Sequence, residues 1–385
     1  LGIIHFFLRN TLCNHRECRF STAFAHFLLK TLWKVWKVPE NKDIYCHELF
    51  TIKTTKKKNL LPKVECPCHG CPCQKRKAVV YLFCEAQKER KALMPTETLA
   101  SFALEAPDDF NLEQTLMCGQ AFRWKQAPNG TFTGVVENRV CSVRREEKQL
   151  MIFGDDSPDA VQFWCSYFDL DADYAAWRCE IAKTPALKPA VEWSSGIRLL
   201  RQQPWEALVS FIISQNNHLS RITGIIDRLC TLYGAPLKDG HYAFVTPKQL
   251  AELCEDDISI LRCGYRAAWI SDAARRVLSG EIDLNRIQTM PLHEARDTLM
   301  RIRGVGPKVA ECVLLYGMHR LECCPVDVWV KRGMISLLPN GMPPPLLPFA
   351  GVAQQYIFHY MRTCPDAPCP KRKDQTEETE KIFKQ

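Results

Sequence analysis

The stretch that decides the fold runs from Leu299 to Arg332 and reads LMRIRGVGPKVAECVLLYGMHRLECCPVDVWVKR. It begins with the end of an amphipathic helix over Leu292 to Ile302 and turns through Gly304-Val305-Gly306. It restarts as a helix at Pro307, runs to about Tyr316, and restarts again at Pro325-Val326-Asp327. Pro307 suits a first helical position, where its missing N–H costs nothing. Two glycines one residue apart let the backbone come close to a ligand. The N–H groups of Gly304, Gly306 and the next turn then stand free at a helix N-terminus, which favours an anion. Helix, Gly-x-Gly hairpin and helix together read as a clamp for a phosphate backbone, although a plain inter-helix turn has the same local pattern. The GxxxxGK[ST] spacing of a nucleotide P-loop is absent.

Two residues beside the hairpin carry chemistry. Lys308 lies in the first turn of the second helix, where the helix dipole disfavours a cation by roughly 0.3–1 kcal/mol. Partial burial would lower its pKa further, and a neutral lysine amine is a nucleophile that forms Schiff bases. Asp327 lies 19 positions on, and the Pro-Val-Asp run places it as a helix N-cap. Taken singly, Lys308 reads as a solvated lysine and Asp327 as a cap. The hairpin, the lysine and the capping aspartate together are far more specific.

IRGVGPKVAECVLLYG followed by PVDVWVKR resembles the signature of the helix-hairpin-helix DNA glycosylases with a Gly/Pro-Asp motif. More narrowly, it resembles the 8-oxoguanine DNA glycosylase/AP lyases of the bacterial-like branch. The resemblance covers about Phe110 to Pro365. It implies an α+β protein in which a small N-terminal antiparallel β-sheet domain precedes a mostly α-helical glycosylase domain. Lys308 and Asp327 are then catalytic, and Gly304, Val305 and Gly306 form the DNA-phosphate hairpin.

The net charge of +8 belongs to one end of the chain. Residues 1–93 hold 18 lysines and arginines against 7 carboxylates, a balance of +11, and the remainder sums to −3. A DNA role for the rest must therefore come from local geometry rather than bulk charge. No apolar run approaches the ~18 residues of a membrane span, and no secretory signal is legible. Twenty cysteines without the spacing of a disulfide scaffold fit reduced thiols in the cytosol. Lys56-Lys57-Lys58 and Lys75-Arg76-Lys77 read as solvated charge. The run Cys66 to Cys73 has one CxxC, Cys68 to Cys71, and lacks the second pair a zinc site needs. Four segments are expected: a basic, Cys-rich leader over 1–93, disordered or non-native; a β-rich domain over 94–190; a helical domain over 191–365; and a charged tail over 366–385.

From Phe110 onward, FNLEQTLMCGQAFRWKQ, TFTGVVEN, RVCSVRRE and QLMIFG read as a β-rich meander, with turns at Asn129-Gly130, Asn138 and Glu147-Lys148. Asp156 to Ile181 reads as helical, and Gly196 to Gly234 as two helices, with Pro204 at a start and Asn216-Asn217 between them. On the resemblance, the main-chain carbonyl of Gly119 takes the N7–H that separates 8-oxoguanine from guanine. Cys312, one turn after Lys308, packs on one face of the flipped base. Gln354 reads the pairing edge, and Phe358, at i+4 from it, stacks on the other face. Asn216, Arg221 and Arg266 contact the opposite cytosine, and Tyr265 wedges into the gap. His218 replaces a third asparagine, and Trp329 a phosphate-contacting histidine of some relatives. ISLLPNGMPPPLLP, between Met334 and Phe349, departs from the longer helical insertion of relatives, because three consecutive prolines exclude a helix.

Only Cys364 and Cys369 follow the hairpin region, so no iron–sulfur cluster and no metal are expected, leaving only a monovalent cation at the hairpin carbonyls. The implied partner is damaged double-stranded DNA bound by a monomer, with no membrane contact. The implied location is the cytoplasm with the nucleoid in a bacterium, or the nucleus in a eukaryote. The implied activity is excision of 8-oxoguanine opposite cytosine followed by β-elimination. A glycosylase for another oxidised purine and a non-catalytic DNA-binding module are the alternatives.

Overall fold

The structure is a computed structural model that describes residues 101–368. The leader, its basic clusters and CxxC run, and the tail beyond residue 368 lie outside the described residues.

Five strands form one antiparallel sheet in the order β1-β5-β4-β3-β2, with β1 Ser101–Glu105, β2 Lys125–Gln126, β3 Phe132–Val136, β4 Arg139–Glu146 and β5 Gln149–Phe153. Strands β2 to β5 are the expected meander, with tight turns where Asn129-Gly130, Asn138 and Glu147-Lys148 were read. Two features differ from the expectation. FNLEQTLM forms a helix, Leu112–Met117, because Asn111 caps it at 2.9 Å and Leu112, Thr115 and Leu116 fall on one buried face. The edge strand β1 precedes the region read as β and pairs with β5, placing Leu104 opposite Leu150. Alternation puts Val143, Leu150 and Ile152 on the inner face, packed against Trp124, Trp164, Tyr167 and Phe168.

The stretch read as one helical region over Asp156 to Ile181 is two helices, Ala160–Tyr167 and Tyr174–Ala182, separated at Asp169 with φ +52°. Trp164, Phe168 and Ile181 are core, as read, and Trp177 is half-buried. The remaining helices enclose a second core. The buried helix Pro204–Ser214 runs through it, followed by Leu219–Tyr233, Arg266–Leu278, Leu292–Met300, Pro307–Cys312, Val328–Leu337 and Ala350–Thr363. The helix after the hairpin widens into a π-turn over Val313–Gly317.

The proline-rich segment also differs from the expectation. The helix before it continues to Leu337, and a 3₁₀-helix spans Pro344–Phe349, beginning inside the three prolines. A first helical turn needs no N–H from its residues and proline φ suits it, so prolines that forbid a helix interior can start one. Leu346 N then closes the turn on Pro343 O at 2.9 Å.

The segment from Gly196 to Gln202 joins the sheet domain to the helices. Arg198 is 2% exposed and pairs with Asp109 at 2.6 Å. Gln120, 1% exposed, donates to the carbonyls of Thr115 and Arg198 and accepts from Leu200 N. A buried side-chain amide satisfied on both ends fixes the adjoining turn, and that turn contains Gly119.

Candidate active site

The hairpin forms where the sequence places it. The helix Leu292–Met300 ends, Gly304 takes φ +81°, and Pro307 starts the next helix behind Gly306 as N-cap. The two glycines have different reasons. A Cβ on Gly304 would lie 2.1 Å from the Trp269 ring, so Gly304 serves internal packing as well as its left-handed backbone. Gly306 has an extended φ of −97°, and a Cβ there would meet nothing within 4 Å. Gly306 is therefore the one placed for close approach by a ligand. Val305 is 5% exposed, and its N–H is used internally by Ile302 O at 3.0 Å. Gln215, at the end of the Pro204–Ser214 helix, donates from Nε2 to Gly304 O at 3.0 Å and ties that helix to the hairpin.

Lys308 projects from the first turn of its helix, half-buried, with Nζ 5.5 Å from the centroid of the Phe211 ring. Phe211 stacks on Tyr316 at 5.2 Å and meets Phe122 edge-on at 5.7 Å, giving the amine an aromatic floor. Cys312, 2% exposed, lies one turn further along. Burial pushes its thiol above the ordinary value, the Lys308 amine pulls it back down, and the Asp327 charge adds to the rise. The same thiol thus senses both Lys308 and Asp327. Asp327 is the N-cap of Val328–Leu337, and both cap bonds fall on Oδ1, from Trp329 N at 2.9 Å and Val330 N at 2.8 Å. Among the described residues Oδ2 takes no hydrogen bond, so one carboxylate oxygen holds the helix and the other is uncommitted.

Residues far apart in the chain meet beside this pair. Gly119, with φ +89°, lies so that a Cβ would come 3.8 Å from the Phe358 ring and 3.4 Å from Arg362 Nη1. Gln354 is 3% exposed, with Oε1 3.4 Å from the Tyr316 hydroxyl, which donates at 2.5 Å to Gln355. Burial raises that hydroxyl well above the ordinary tyrosine value, and the next largest influences are Cys312, Cys118 and Asp327. Tyr316 is thus where the sheet-domain turn, the hairpin helix and the C-terminal helix converge.

A second group lies around the hairpin. Asn216 is exposed at φ +49°, and Arg221 is exposed with Nη2 3.4 Å from Arg262 O. Tyr265 is 53% exposed and edge-on to Trp269 at 4.7 Å. Arg266, read as reaching toward a base, is 4% exposed. Its guanidinium donates to Cys263 O, Gln215 O and the Tyr265 hydroxyl, leaving Nε without a partner. The orphaned Nε marks a buried arginine only partly satisfied where it sits.

Residues 103–208 match the model of the 8-oxoguanine DNA glycosylase N-terminal domain, and residues 209–341 match that of the HhH-GPD superfamily of base excision DNA repair proteins. The chain belongs to the 8-oxoguanine DNA glycosylase/lyase family. The N-glycosylase/DNA lyase of Saccharomyces cerevisiae is 33% identical over 57% of this chain and 66% of its own length. The solved structure of MBOgg1 with a low-affinity DNA ligand is 40% identical, with a TM-score of 0.65 over 69% of this chain and 97% of that one. The 8-oxoguanine glycosylase/lyase of Clostridium acetobutylicum, solved with double-stranded DNA containing cytosine opposite 8-oxoG, is 33% identical, with a TM-score of 0.64 over 70% of this chain and 99% of that one. Among the described residues of this family member, no helix is long and apolar enough to cross a membrane.

Sequence reading missed Gln120, Gln215, Trp269 and Tyr316. Each acts through a partner distant in sequence, and no local pattern marks Gln120, Gln215 or Trp269. Tyr316 alone had a signal, a polar hydroxyl in the apolar run VLLYG, and such a group needs a buried partner.

Proposed function

We propose that the chain excises 8-oxoguanine opposite cytosine from duplex DNA and then cleaves the strand at the emptied sugar. The reading rests on one observation, the chain of contacts that joins Lys308 through Phe211 and Tyr316 to Gln354, with Gly119 against Phe358 and the buried Cys312 thiol subject to both Lys308 and Asp327. The target nucleotide leaves the stack at a cost of a few kcal/mol, least for a damaged base. The hairpin Gly304-Val305-Gly306 holds a flanking phosphate, with Gly306 and the first helical turn supplying free N–H groups. The base enters between Cys312 and Phe358, with the Gly119 carbonyl toward N7–H and Gln354 toward the pairing edge. Asn216, Arg221 and Arg266 face the orphaned cytosine, and Tyr265 fills the gap. Arg266 must first leave its carbonyl partners to do so.

Lys308 Nζ, as the neutral amine, attacks C1′, and the bond from C1′ to the base nitrogen breaks. Asp327, through its uncommitted Oδ2, stabilises the cationic sugar and accepts the proton that Lys308 sheds. The aminal opens to a Schiff base, a C2′ proton is lost, and the C3′–O bond to the 3′ phosphate breaks. The protein works as a monomer in this reading, with 94–190 and 191–365 as its two working parts and a monovalent cation as the one ion the hairpin carbonyls suit.

The test is borohydride trapping on an 8-oxoguanine:cytosine duplex, with wild type beside Lys308→Gln. A covalent adduct that the variant loses supports the lysine and the lyase step. DNA binding with neither adduct nor base release would leave only a binding module. Base release without an adduct would make the protein a monofunctional glycosylase in which Asp327 activates water. Preferential release of another oxidised purine would move the lesion assignment and leave the chemistry in place.

A further inference from the structure

Lys308 and Asp327 stand on different elements, so something must fix their separation. Three residues after Lys308, on the same helix, is Glu311, a carboxylate only 8% exposed. Its Oε1 accepts from Arg296 Nε on the preceding helix, and its Oε2 accepts from Cys324 N at 2.7 Å. Cys324 is the last residue with a main-chain donor before Pro325, whose ring fixes φ, and Asp327 follows two residues later. The bond from Glu311 therefore lands at the base of the short, stiff Pro-Val-Asp run that carries the carboxylate. The rest of the loop has further anchors. Arg320 Nη1 donates to Met290 O at 2.9 Å, and Leu321 O accepts from Gly351 N at 2.8 Å. Arg320 N donates to Leu314 O at 2.9 Å, at the far end of the lysine's own helix, and Glu311 is the side-chain tie from the turn that carries Lys308 to the residue before Pro325.

We propose that Glu311 is a positioning residue that, through its bond to Cys324 N and its pairing with Arg296, sets the Asp327 carboxylate against the Lys308 amine. The inference rests on the catalytic reading of Lys308 and Asp327. Attack at C1′ needs reacting groups held closely, and a misplacement of about 1 Å costs about a hundredfold in rate. Arg296 is 38% exposed and able to turn to solvent, whereas the Glu311 side chain, 11% exposed, is not. Glu311→Gln keeps an acceptor for Cys324 N–H and gives up the ion pair. Glu311→Ala loses both and leaves the part-buried Cys324 N–H without its partner.

The experiment uses the full chain and reads three quantities for wild type, Glu311→Gln and Glu311→Ala. These are single-turnover base excision per trapped active site, Kd for the duplex, and amide hydrogen exchange at Cys324. The expected result is a fall in the excision rate of roughly ten- to a hundredfold for Glu311→Ala, with Kd within about twofold. Glu311→Gln should lie within about threefold of wild type, and Cys324 N–H should exchange faster in the alanine variant alone. Normalising to active sites removes any loss from partial unfolding. Wild-type excision per site by Glu311→Ala would overturn the proposal, as would equal loss of affinity and rate. If wild type excises nothing from the 8-oxoguanine duplex, the lesion reading fails, and the proposal is then judged by trapping on an abasic-site duplex. If that adduct is absent too, the catalytic reading and the positioning role fall together. Unchanged exchange at Cys324 would by itself overturn the tie.

Discussion

Gly304→Ala and Gly306→Ala, a pair that looks equivalent in the sequence, should separate cleanly. At Gly304 the backbone is left-handed, φ +81°, which costs an alanine about 1–2 kcal/mol. The new Cβ would lie 2.1 Å from one Trp269 ring carbon and 2.3 Å from another. Trp269 is held in turn by Tyr265 at 4.7 Å, so relief means moving an aromatic pair. Overpacking of this kind adds about 1–3 kcal/mol. The total of about 2–5 kcal/mol predicts a fall in Tm of roughly 5–15 °C for a folded region of this size. At Gly306 φ is −97° and the Cβ position is open. The loss of chain entropy in the unfolded state and the poorer N-cap roughly cancel, within about 1 kcal/mol. Gly306→Ala should therefore keep its Tm and lose affinity for DNA, because the added methyl sits where the phosphate comes closest. Thermal unfolding followed by fluorescence anisotropy with a labelled duplex measures both. Equal Tm values for the two variants would refute the argument that Trp269, rather than DNA, requires Gly304. Undiminished DNA binding by Gly306→Ala would refute the assignment of that glycine to the phosphate.

Other substitutions test the rest of the site. Asp327→Asn keeps an acceptor for Trp329 N and Val330 N, so Tm should shift by less than about 2 °C while excision falls at least about a hundredfold. Asp327→Ala should lose the cap as well, at about 1 kcal/mol in urea denaturation. Tyr316→Phe leaves buried Gln355 without its donor, at about 1–3 kcal/mol. It also frees Gln354, so the ratio of 8-oxoguanine to guanine binding should drop in competition assays. His359 gives a pH signature. Burial first, and the Arg362 charge second, hold its imidazole down to about 4 from 6.5. Between those values the unfolded chain binds the extra proton, so stability falls as pH drops from 6.5 toward 4. His359→Gln should flatten that part of the Tm profile, and an unchanged slope would show that another group carries it.

The sequence alone determined the hairpin, the lysine after it and the capping aspartate. These are local devices in which glycine, proline and a short carboxylate act on their own backbone neighbourhood. It also determined which way the helix Ala350–Thr363 turns its residues, since Gln354 and Phe358 share a face by helical period. It could not distinguish the helix Leu112–Met117 from a strand. Six residues hold too few periods to choose, and the cap at Asn111 outweighs the β-like composition around it. Nor could it find the edge strand β1, whose pairing with β5 is long-range. Tertiary structure alone decided what holds the site in register. Gln120 reaches Arg198 across 78 positions and Gln215 reaches Gly304 across 89. Glu311 carries no mark in the sequence beyond being a carboxylate on an apolar helix. Tertiary structure also turned Arg266 inward onto the carbonyls of Cys263 and Gln215. A buried arginine takes whichever acceptors the packed loops present, and their positions exist only once the chain has closed around them.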